Sequence, residues 1–125
     1  MASDEIPLLF NMDVLNRLRV LAPHSHWLED LYQEFLKQTR EQLTQLLEAV
    51  RQNNAQQVLF LLHAMKSSAR QVGGELFAVQ VEEWELLLSQ DATLTQHSYY
   101  QAVNQAFTML QTEIQNVFEQ KEGRP

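Results

Sequence analysis

Residues 58–77 read VLFLLHAMKSSARQVGGELF, an apolar run that takes on polar residues at helical intervals and then meets two glycines. With His63 set at zero and about 100° per residue, Val58, Leu61, Leu62, Met65, Ala69 and Val72 share one arc from about 160° to 260°. That arc is the buried side of an amphipathic helix. Gln56, Leu59, Phe60, Lys66, Ser67 and Arg70 fall within about 60° of His63, on the opposite side. The spacing predicts a helix over about 55–72. Gly73 and Gly74 can end it, since glycine enters the left-handed cap conformation at little cost.

Working outward, the same periodicity predicts four more helices. Towards the N-terminus, Leu28, Leu31, Phe35, Leu43, Leu46 and Val50 recur every three or four residues or at sums of these, giving a long helix over about 25–52. Thr39 and Gln42 dilute its stripe, and the polar Gln52-Asn53-Asn54 separates it from the next helix. A short helix over about 12–20 carries Val14, Leu15, Leu18 and Leu21, with Asn11 or Asp13 as cap and Pro23 beyond its end. Ser3 and Ser25 are further cap candidates. On the other side, Phe77, Val81, Trp84 and Leu88 define a helix over about 75–90, and Tyr99, Val103, Phe107, Leu110, Ile114 and Val117 one over about 96–119. Four helices of such length with short connections predict an all-α chain, an antiparallel four-helix bundle with a short N-terminal capping helix.

The 125 residues fit one domain, and with no internal repeat or linker the expectation is a single unit over 1–125. The longest apolar run, Val58 to Leu62, is far too short for a membrane span. An acidic start without the pattern of a signal peptide, together with the lack of cysteine, leads us to expect a cytoplasmic protein without disulfides. A formal charge of −7 argues against a nucleic-acid surface, so protein partners are expected. Within this acidic chain, residues 49–74 contain no Asp or Glu but carry Arg51, Lys66 and Arg70.

An imidazole in water titrates at about pH 6.5, so at physiological pH it largely keeps a free lone pair for nucleophilic attack. On an outward face with Lys66, Ser67 and Arg70, such a group suits phosphoryl carriage. The two cations can screen the transferred group, and the hydroxyl can donate to it. Leu59 and Phe60 gain nothing from solvent and suggest a docking surface.

The segment from His63 through Lys66, Ser67, Ser68, Val72 and Gly73 to Phe77 resembles the signature of histidine-containing phosphotransfer (HPt) domains. It is similar to the HAxKSSA form of stand-alone phosphotransfer proteins in quorum-sensing relays and of some C-terminal domains of hybrid sensor kinases. Ser67 replaces the usual glycine, Met65 a leucine, and Leu62 the alanine that commonly precedes the histidine. The resemblance extends over nearly the whole chain in helix order and length.

It implies that His63 is phosphorylated, with Lys66, Ser67 and Arg70 as phosphate environment. It also implies that Glu85, on the next helix, orients the ring through Nδ1, with Glu82 as fallback. Gln56, Leu59 and Phe60 would dock the partner. The implied activity is a relay between aspartates of response-regulator receiver domains, fed by a hybrid sensor kinase. The chain itself would be a monomer without autonomous catalysis and without a cofactor, Mg²⁺ belonging to the receiver.

An alternative is an adaptor or inhibitor of the same architecture that binds a receiver or kinase without carrying phosphate. His63, Glu82 and Glu85 as acid and base of an unrelated enzyme are a third reading, weakened by how common solvated carboxylates are on helices. His24 and His26 supply too few ligands for a structural or catalytic zinc site. Phosphate-binding glycine loops and hydrolase elbows are absent from the sequence.

Overall fold

The structure is a computed structural model that describes residues 10–21, 26–95 and 97–122, with side chains through Phe118. These residues form α1 (Met12–Leu21), α2 (Trp27–Arg51), α3 (Ala55–Val72), α4 (Glu75–Gln90) and α5 (His97–Glu122), and no strand is found among them. Helix α2 starts slightly later than its periodicity suggests. Ser3, His24 and Ser25 lie outside the described residues.

Helix α3 packs on α2 and α4, and α5 closes the ring by packing on both. Short connections between long neighbours make consecutive helices antiparallel. All six residues of the α3 inner arc are buried, joined by Leu36, Leu46, Phe77, Val81, Trp84, Leu110 and Ile114 in one apolar core. At the end of α5 it is Phe118 that is buried, with Val117 only packed against the core. Thr39 does enter the stripe of α2, almost fully buried, and its hydroxyl lacks a hydrogen-bond partner.

Both ends of the bundle are tied down. Asn54 caps α3 by accepting from the Gln57 amide (3.1 Å). At the same end the Trp84 indole donates to the Leu94 carbonyl (2.7 Å) and stacks on Tyr99, while the Thr95 hydroxyl donates to Asn53 Oδ1 (3.1 Å). Asp91 accepts from the hydroxyl and amide of Thr93, which lowers its pKa.

At the far end Gly73 has φ +87°, and the amides of Gly74 and Gly73 donate to the carbonyls of Ala69 (2.8 Å) and Arg70 (3.4 Å). This is the six-to-one and five-to-two pairing of a Schellman cap. Gly73 also accepts from the Asn11 amide (2.7 Å), which fastens α1 to the end of α3, and a Cβ on Gly73 would lie 2.9 Å from the Asn11 carbonyl. Asn11 itself caps α1, its Oδ1 accepting from the Asp13 amide (3.0 Å). Gly74 has an ordinary φ of −81°, but Leu110 of α5 occupies the space its Cβ would need, 2.7 Å away. The Tyr32 hydroxyl donates to the Val72 carbonyl (2.8 Å) inside an aromatic group with Phe10 and Phe118. Burial drives the pKa of that phenol upward, opposed in part by the charge of Arg19.

Candidate functional site

The reversal at Gly73 and Gly74 lays α4 back along α3, so residues equally far from the turn come level. His63 stands ten positions before Gly73 and Glu85 eleven after Gly74. His63 is near the middle of α3 with 65% of its side chain open, while Glu85 is mostly covered. Their contact joins Nδ1 of His63 to Oε2 of Glu85 at 3.2 Å. An ionised carboxylate only accepts, so this bond places the ring hydrogen on Nδ1 and leaves the Nε2 lone pair free in the neutral ring.

The second oxygen of Glu85, Oε1, accepts from Lys66 Nζ at 2.7 Å, and the Lys66 side chain is mostly covered too. Glu85 thus holds the imidazole with one oxygen and the ammonium with the other. A carboxylate fixed on two sides has little freedom to turn, and the ring it holds keeps its orientation. Glu82, one turn earlier on α4, is bonded elsewhere. Its Oε1 accepts from Arg70 Nη2 at 3.0 Å, and its Oε2 lies 3.9 Å from Lys66 Nζ.

These contacts change the reading of the basic segment. Residues 49–74 are free of acids along the chain but not in space, because α4 lays Glu82 and Glu85 over Lys66 and Arg70. The face carries two cations and two anions. What sequence reasoning missed is this cross-helix pairing, and the glycine turn with the count of residues on either side was the signal that could have found it.

The remaining site residues divide by exposure. Phe60 is 68% exposed, a large apolar group held in water on the side of His63, and Gln56 is also open. Leu59 instead leans into the bundle and packs against the core, so the exposed apolar surface beside His63 on this helix is that of Phe60. Ser67 is exposed on the same side as His63, and Ser68 is half-buried. Away from the site, His97 is exposed with its ring 5.7 Å from that of Tyr100, and His26 Nδ1 lies 4.0 Å from Glu29. Among the described residues no helix is long and apolar enough to cross a membrane.

An exposed imidazole with one nitrogen pinned and the other open to solvent has the chemistry to act as a nucleophile. No curated protein matches the chain. Among solved structures it is similar to histidine-containing phosphotransfer protein B from Pseudomonas aeruginosa PAO1, with a TM-score of 0.81 and 17% sequence identity, over 90% of this chain and 96% of that one. At that identity the likeness concerns the fold. The Hpt domain matches residues 30–120, from the first turn of α2 nearly to the end of α5 and across the whole of the His63 site. The chain belongs to the Hpt domain family.

Proposed function

We propose that this protein is a phosphorelay intermediate that carries a phosphoryl group on Nε2 of His63. The observation that carries this reading is the 3.2 Å contact of Nδ1 with Glu85 on a ring otherwise open to solvent. In the step proposed, the Nε2 lone pair attacks the phosphorus of a receiver domain's aspartyl phosphate. The N–P bond forms as the O–P bond breaks, and the aspartate carboxylate leaves with that electron pair. The ring, still protonated at Nδ1, gains positive charge, which the Glu85 carboxylate stabilises. Running the step backwards delivers the group to the aspartate of a second receiver.

This chain supplies the nucleophile and its orientation. Mg²⁺ and the groups that activate the acyl phosphate belong to the receiver, and the chain needs no cofactor of its own. Phe60 and Gln56 form the docking surface beside the ring, where burial of the exposed phenyl supplies affinity. A hybrid sensor kinase is the natural source of the phosphoryl group, and the cytoplasm is the compartment in which the relay works. One exposed face suffices for partners that alternate, so the working form is a monomer.

Incubation with a phosphorylated receiver domain and Mg²⁺ tests the proposal. The expected result is label on this protein that is acid-labile, alkali-stable and absent from His63→Gln. Binding of receivers without label would replace the relay with the adaptor reading, and equal labelling of His63→Gln would remove His63 from the mechanism.

A further inference from the structure

The polar face between α3 and α4 is a ladder of alternating charge. From His63 it runs to Glu85 (3.2 Å), from Glu85 to Lys66 (2.7 Å), from Lys66 to Glu82 (3.9 Å) and from Glu82 to Arg70 (3.0 Å). With a neutral imidazole at its head the ladder has no net charge. A phosphoryl group on Nε2 therefore adds negative charge to a face whose cations are already matched. By the proposed step, an aspartyl phosphate of two negative charges yields a phosphoryl-imidazolium with one net negative charge and a free carboxylate with the other. Loss of the Nδ1 proton would leave two on the ring.

Resting on the relay reading, we infer that Glu82 sets how strongly His63 holds the phosphoryl group. It does so by pairing with Arg70 and sharing Lys66, which keeps the phosphohistidine short of counter-charge and hence a ready donor. Glu82 is a positioning residue that acts through these neighbours. Arg70 stands two turns beyond His63 on the same stripe of α3, and long helical side chains lean towards the N-terminus of their helix. Released from Glu82, its guanidinium is on the side from which it can approach the phosphoryl group. Even without contact, removal of one negative charge from the ladder strengthens its retention.

The test is the equilibrium distribution of label between His63 and the aspartate of a receiver domain, with Mg²⁺, at low and at high salt. At protein concentrations well below the Kd of the complex, that distribution reports the two free phosphoproteins rather than the rate of docking. Glu82→Gln is expected to shift it towards His63 by roughly three- to tenfold at low salt and by less at high salt. Arg70→Gln should shift it the other way, and the double variant, which restores the charge balance, should return near the wild type. Glu82→Asp keeps the charge and should stay close to wild type as well. Both side chains are partly open to solvent, so these exchanges leave the fold intact.

A merely structural role for the Glu82–Arg70 pair would move both single variants in the same direction and leave the double variant displaced. That result, or an unmoved Glu82→Gln, overturns the inference. Absence of label on the wild-type protein is the separate failure of the relay reading, visible before any variant is compared.

Discussion

Leu62 and His63 are adjacent in sequence, yet Leu62 is fully buried while His63 keeps 65% of its side chain in the open. The inner face of α3 is built from Val58, Leu61, Leu62, Met65, Ala69 and Val72, and each finds an apolar environment whichever helix supplies it. On the outer face His63, Lys66 and Arg70 are held instead by two particular carboxylates of α4, those of Glu82 and Glu85. Burial is non-directional and roughly proportional to area, so the inner face tolerates imprecision in its partners. A charge-assisted hydrogen bond is short and directional, so the outer face works only in one register of α4 against α3. On the proposed function, the two faces of one helix therefore divide the labour of stability and chemistry.

That division can be broken at several points. Met65 is fully buried on the inner face. Its replacement in Met65→Ala should cost about 2–5 kcal/mol of stability by denaturant unfolding, while the folded fraction still accepts label. Loss of labelling in protein that remains folded would show that the faces are not separable. Gly73→Ala attacks the register that both faces share, since φ is +87° and the Asn11 carbonyl would lie 2.9 Å from the added Cβ. This variant should lose about 1–3 kcal/mol and loosen α1 together with the turn, measurable as faster amide exchange at Asn11 and Gly74.

Glu85→Ala strikes only the outer face. It frees the imidazole to turn and change tautomer and leaves the Lys66 ammonium without its nearest partner. The transfer rate should fall about tenfold. An unchanged single-turnover rate would show that the ring needs no orientation. Phe60→Ala is the mildest, because the side chain is already in solvent. Stability should stay almost unchanged, as for most surface substitutions, while receiver affinity should fall roughly fivefold by titration calorimetry. Unaltered affinity would place the docking surface elsewhere.

The same contrast explains what could be read from the residues alone. The all-α bundle was legible because apolar spacing is a local property of each helix, and the long stripes of α2 and α5 and the compact arc of α3 carry it without reference to a partner. Gly73 was legible as a terminator because a positive φ is a demand on one residue. The need for Gly74 was not, since it comes from Leu110 on α5, a helix remote in the sequence.

The site divides in the same manner. The outward direction of His63 follows from the helical wheel, and Glu85 came from the family resemblance. The pairing of Lys66 and Arg70 with acids of α4 lies in the register between helices. A segment without acidic residues looked like a bare cationic surface for phosphate, and folding supplied its counter-ions from elsewhere. Leu59 shows the same limit: the wheel sets it on the His63 side of α3, yet in the fold it is partly buried and packs against the core.

The most direct measurement is the assignment of the phosphorylated ring nitrogen by ¹⁵N and ³¹P NMR on histidine-labelled protein after transfer from a receiver domain. The account predicts a phosphorus-coupled Nε2 and a proton on Nδ1 of His63, with the Nδ1 proton shift lost in Glu85→Ala. Phosphorus on Nδ1, where Glu85 now sits 3.2 Å away, would contradict it, as would phosphorus on any other histidine.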